Sequence, residues 1–135
     1  MAPPVPIDQT AEAGQLADLF NSLSQVLDDF RLGDHNPPIP DDQLARLKDE
    51  AQALEDRAHY FTAQAIGATL QSIQPDLANI KAVTQLAKNQ LGVLNNVSKV
   101  ISIATSALSL GTAIAAGNPG SIVAAAAALT QTLAA

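Results

Sequence analysis

Few residues in this chain are suited to chemistry. There are two histidines, His35 and His59. On a helix, Glu55 lies four residues before His59 on the same face, which makes an ordinary surface pair. Di-metal sites in helical bundles use Glu-x-x-His together with further carboxylates. Here that place is held by Asp56, one methylene shorter, in the single stretch Asp56-Arg57-Ala58-His59. A metal centre is therefore not expected. His35 falls in a Pro-rich stretch and reads as a solvated loop histidine. Asp28–Asp29 and Asp41–Asp42 read as helix-end charges. No glycine-rich phosphate loop, nucleophile elbow or zinc spacing is present. The chain has no cysteine, which excludes disulfides and thiolate ligands. These observations predict a protein that is not an enzyme and uses no cofactor.

The charge pattern says more. All 13 acidic residues lie at or before Asp76, alongside four of the seven basic ones, Arg31, Arg46, Lys48 and Arg57. Residues 77–135 carry Lys81, Lys88 and Lys99 and no acid. One reading is intramolecular, with the acidic part packed beside the weakly basic part. The other is that Lys81, Lys88 and Lys99 contact anionic lipid. Nucleic acid is not an expected partner, because the basic residues are dispersed and aromatics make up only 3% of the chain. The N-terminal stretch 1–10 lacks the basic-then-apolar pattern of a secretory signal.

The elements that would position these residues all read as helices. Three prolines within residues 1–8 predict an extended, flexible tail. A single domain then spans 9–135. A first helix over 9–32 is marked by Leu16, Leu19, Leu23, Val26 and Phe30 at alternating steps of three and four, with Asp8 or Thr10 as cap and Gly33 as left-handed stop. The stretch 33–40 is a stiff Pro-rich connector. A second helix over 41–71 carries a seam of Leu44, Leu47, Ala51, Leu54, Ala58, Phe61, Ala65 and Ala68, with Arg46, Asp49, Glu50, Asp56 and Arg57 on the outer face. Pro75 opens a third helix, 75–116, and the Gly117–Gly120 turn leads to a fourth, 119–134.

After Lys99 no side chain is charged. On a helical wheel, Lys81, Thr84, Lys88, Asn95, Ser98, Lys99, Ser102, Thr105, Ser106, Ser109 and Thr112 share one thin polar stripe. The rest of the circumference is apolar. That stripe predicts a helix that is soluble in the resting state. The apolar face, formed by Val100, Ile101, Ile103, Ala107, Leu108, Leu110, Gly111, Ile114 and Ala115 with Ile122 and Leu129 of the last helix, is the candidate surface for membrane, lipid or assembly. Ala107, Gly111 and Ala115 form a small-xxx-small row, which allows close helix approach. The expected architecture is all-α, an elongated antiparallel four-helix bundle ending in a charge-free hairpin.

The run from Val100 to Leu129, a charge-free hairpin with a Gly-Asn-Pro-Gly turn at the end of a long amphipathic helix, resembles the helical pore-forming toxins of the cytolysin A and haemolysin BL type. The resemblance covers residues 77–135. It implies that the apolar hairpin is the part that meets the membrane. Two other functions fit the same residues: a soluble assembly or adaptor protein, or a carrier that opens around an apolar ligand. The wide apolar arc of the third helix also predicts a homo-oligomer.

Overall fold

The structure is a computed structural model, and it describes residues 6–135. The Pro-rich tail expected over 1–8 lies mostly outside the described residues. Helix α1 (Gln9–Leu32) is followed by α2 (Asp41–Tyr60), α3 (Ala63–Ser72), α4 (Gln74–Leu91), α5 (Val97–Ala116) and α6 (Pro119–Ala134), with no strand among the described residues. The all-α expectation stands, but among the described residues six helices replace the expected four.

Two of the expected helices are broken, each by a cap. The second breaks at Phe61, whose ψ of 80° is not helical, and at extended Thr62. The Thr62 hydroxyl accepts the Ala65 N–H at 3.2 Å, which starts α3. The break also shifts the seam. Leu47, Ala51, Leu54, Ala58 and Phe61 are buried as expected, but Ala65 and Ala68 are exposed, while Ile66 and Leu70 are buried. The expected helix 75–116 is in fact two helices, α4 and α5. Gly92 closes α4, and Asn96 opens α5 by accepting the Lys99 N–H at 3.1 Å. Four orphan N–H groups at every helix start need partners, so a side-chain cap such as Asn96 is a strong start signal.

The polar contacts give the direction of each pass. Ser24 of α1 donates to the Ala51 carbonyl of α2 at 2.7 Å, and the Ile7 N–H donates to Gln71 of α3 at 3.0 Å. The α2–α3 pass therefore runs antiparallel to α1. Lys81 of α4 pairs with Glu12 at 2.6 Å near the start of α1, while Leu91 lies beside Phe30 near its end, so α4 runs parallel to α1. Thr105 sits beside Glu50, and Gly117 beside Thr69, so α5 runs with α2 and α3. Gln90 donates to the Leu133 carbonyl at 3.2 Å, which aligns α6 with α4. The chain thus makes five alternating passes, one of them split into α2 and α3.

Helix α1 is central, packing against α2, α3, α4 and α5. Its buried stripe is accordingly wide: Ala13, Leu16, Phe20, Leu23, Ser24 and Leu27. Phe20 meets Phe61 edge-on, with ring centroids 5.0 Å apart. Each such Leu, Ile or Phe taken out of water contributes about 1.5–3 kcal/mol. Gly33 is extended (φ −73°, ψ 168°), not the left-handed stop its position suggested. Instead His35 covers the end of α1. Its Nε2 lies 2.5 Å from the Phe30 carbonyl and its ring packs on Phe30 at 4.6 Å, so it is not simply a solvated loop residue.

Candidate functional site

The α5–α6 hairpin is built by three local devices. Asn96 caps α5, and Asn118 caps α6 by accepting the Ser121 N–H at 3.1 Å. Gly117 between them has φ +82°, a left-handed conformation that side chains resist, and its N–H closes α5 by donating to the Ala113 carbonyl at 3.1 Å. At the other end, Lys99 donates to the carbonyls of Thr132 and of Ala135, the latter at 2.6 Å. A cation at a helix C-terminus meets the negative end of the helix dipole. The one charged residue of the hairpin is therefore held within the hairpin. The Gly117–Gly120 turn at the opposite end carries no charge.

The candidate apolar face turns inward. Val100, Ile101, Ile103, Ala107, Leu110, Gly111, Ile114, Ile122 and Leu129 are buried, and Leu108 and Ala115 are half-buried. In this conformation they form core, and none of the buried ones is open to lipid or a partner. The small residue Gly111 is needed: a Cβ there would lie 2.6 Å from Phe20 Cε2. The apolar arc that suggested an oligomer is met within the chain, because the expected single long helix folds back as α4 and α5.

The hydroxyl stripe faces water, with Ser98, Ser102, Thr105, Ser109 and Thr112 all exposed. Several of these hydroxyls are already occupied. Ser102 donates to the Ser98 carbonyl at 3.0 Å and Ser109 to Thr105 at 3.1 Å. On α6, Thr130 and Thr132 bond the carbonyls of Ala126 and Ala128, each at 2.9 Å. Each donates to the carbonyl four residues back on its own helix. The outer face of α6 also exposes Val123, Ala124, Ala127 and Ala128, with Ser121 and Gln131 as its further polar side chains.

The three lysines do not converge. Lys81 is engaged by Glu12 and by Gln15 at 2.9 Å, Lys99 by α6, and Lys88 is half-buried without an ion pair among the described residues. The Lys81–Glu12 pair joins the acidic and basic parts of the chain within the fold.

Glu50 lies elsewhere than its place in the helical pattern suggests. Glu50 belongs to the buried seam between α2 and α5, not to the outer face. Its Oε1 accepts Arg46 Nε at 3.0 Å and the Thr105 hydroxyl at 2.8 Å. The only signal in the sequence is Arg46, four residues earlier, in position to pair with it.

As for chemistry, His59 and Glu55 are 4.0 Å apart, the histidine exposed and the glutamate half-buried. No group of three or more potential metal-ligating side chains occurs among the described residues. The grooves are open and shallow. One of about 450 Å³ runs between α5 and α6, lined by Leu108, Thr112, Ala113 and Ser121. Among the described residues, one helix, Val97–Ala116, is long and apolar enough to cross a membrane; a buried core helix can have the same length and composition. The arrangement defines a helical bundle carrying a charge-poor hairpin. No protein-family model matches the chain, and neither a curated protein nor a solved structure does.

Proposed function

We propose that this is a non-catalytic helical protein that engages membrane lipid through α5 and α6. The observation that carries the reading is the set of exposed hydroxyls on this charge-poor hairpin that are already bonded to their own backbone. In hydrocarbon an unmade hydrogen bond costs several kcal/mol, so a helix that enters lipid must bring its polar groups satisfied. These do. Charged side chains cost more still, and none lies between Lys99 and the end of the chain. With 20 residues, α5 is about 30 Å long, which matches the hydrocarbon thickness of a bilayer. Lys99 would trail at the open end, where its long side chain reaches the interface, while the uncharged Gly117–Gly120 turn leads.

In this reading the bundle is the resting, water-soluble form. Lipid contact requires the hairpin to leave α1, α2 and α4. Its apolar side chains would then exchange one water-free surrounding for another, which changes their free energy little. Of the toxin resemblance of residues 77–135, this reading draws on the charge-free hairpin alone, because the long helix expected to lead into it is divided into α4 and α5. The test is flotation and dye release with anionic vesicles at low salt. Protein that floats and releases dye supports the reading. Protein that stays at the bottom of the gradient and releases none refutes it, and self-assembly through the exposed alanines of α6 then becomes the better account.

A further inference from the structure

The hairpin joins α1–α4 through the short segment 92–96. What holds it is packing and a few polar ties. Among the described residues, the side-chain hydrogen bonds that cross from the hairpin to α1–α4 are those of Arg46 and Glu50 with Thr105, and of Gln90 with the Leu133 carbonyl. The first two meet at one point, and that point is underpaired. Glu50 is 7% exposed, and its second oxygen, Oε2, is buried without a hydrogen-bond partner. Seven residues on, on the same face of α2, Arg57 Nε is also buried without a partner.

A buried carboxylate needs both oxygens satisfied before burial ceases to be costly. Glu50 holds Thr105 with one oxygen and leaves the other desolvated. Undocking α5 would let water reach Oε2, so the same residue that ties the hairpin down also favours its release. We propose that Glu50, with Thr105 and Arg46, is a latch whose half-satisfied carboxylate sets how readily the α5–α6 hairpin leaves the bundle. The inference rests on the lipid reading for its biological purpose, but not for its physics.

The latch makes a prediction of opposite signs. Glu50→Leu and Thr105→Val each remove the same hydrogen bond. A tie that only stabilises would weaken in both variants. For a latch, Glu50→Leu removes the stranded carboxylate and tightens docking, whereas Thr105→Val removes a donor and leaves the carboxylate worse served. Hydrogen–deuterium exchange on the full-length protein in water, without lipid, reads this directly. The expected result is exchange of α5 and α6 amides about tenfold slower in Glu50→Leu and about tenfold faster in Thr105→Val, with α1 unchanged. Faster exchange in both variants, or a change spread equally over all helices, overturns the latch. Dye release from anionic vesicles separates the two claims. If exchange shifts as expected and no variant releases dye, the latch stands and the lipid reading falls. If all variants release dye equally and exchange does not shift, the latch falls and the lipid reading stands.

Discussion

The first hairpin of the fold, α1–α2, and the last, α5–α6, both bury an apolar stripe, of Leu, Ala and Phe20 in the first and of Val, Ile, Leu and Ala in the last. They differ in what they turn to solvent. Outside, α2 carries Arg46, Lys48, Asp49 and Asp56, whereas α6 carries alanines and hydroxyls. Ser24 ties α1 to α2 by a neutral bond to a backbone carbonyl, complete in itself. Glu50 ties α2 to α5 by a charge with one oxygen left over. In the proposed reading, the difference in outer surface and in seam is what would let one hairpin change surroundings while the other stays.

The contrast can be broken most forcefully in the core. Leu54 is fully buried, and Leu54→Asp places an unpaired charge there at a cost of about 4 kcal/mol or more. The expected outcome is loss of helix across the whole chain by circular dichroism. Leu129→Asp, also in a fully buried place but on α6, should free α6 and leave the α1–α4 helices folded, as amide exchange would report. Equal global unfolding in the two variants would erase the distinction between the regions. Next comes Gly111→Leu, which forces a side chain into Phe20 and should cost about 3 kcal/mol, read as a lower melting temperature. Asn96→Ala removes the cap that separates α5 from α4. It should cost about 1 kcal/mol and speed exchange first in residues 97–100. Smallest is Lys81→Met. Its pair with Glu12 is partly exposed, so denaturant melts should shift by under about 1 kcal/mol.

Helix content and most of the core were legible because apolar spacing follows the helical period, as Leu16, Leu23, Leu54 and Leu110 show. The Gly117–Gly120 turn was legible because glycine, asparagine and proline each carry a local reason to sit there. The breaks at Phe61–Thr62 and Gly92–Asn96 were not. In both, the wheel pattern continues across the break by coincidence. Alanines at 65 and 68 extend the seam on paper, and Asn95, Ser98 and Ser102 extend the polar stripe. Gly92 followed by Asn96 was the available clue, a stop and a cap, outweighed by apparent continuity. Thr84 was assigned to that stripe yet is fully buried, its hydroxyl donating to the Ile80 carbonyl at 2.7 Å. A hydroxyl that bonds its own helix behaves as an apolar group. Beyond its pairing with Arg46, the role of Glu50 could not be read, since it depends on which helix packs against α2.

The central claim is that α5–α6, and not the charged helices, meets lipid. Because the chain has no cysteine, single cysteines carrying an environment-sensitive fluorophore can be placed at Ser121 or Ala124 of α6 and at Gln52 of α2, all exposed positions. On adding anionic vesicles, the account predicts a blue shift and rising intensity at residues 121 and 124 and none at residue 52. A spectrum unchanged at both α6 positions, or a shift confined to residue 52, would contradict it.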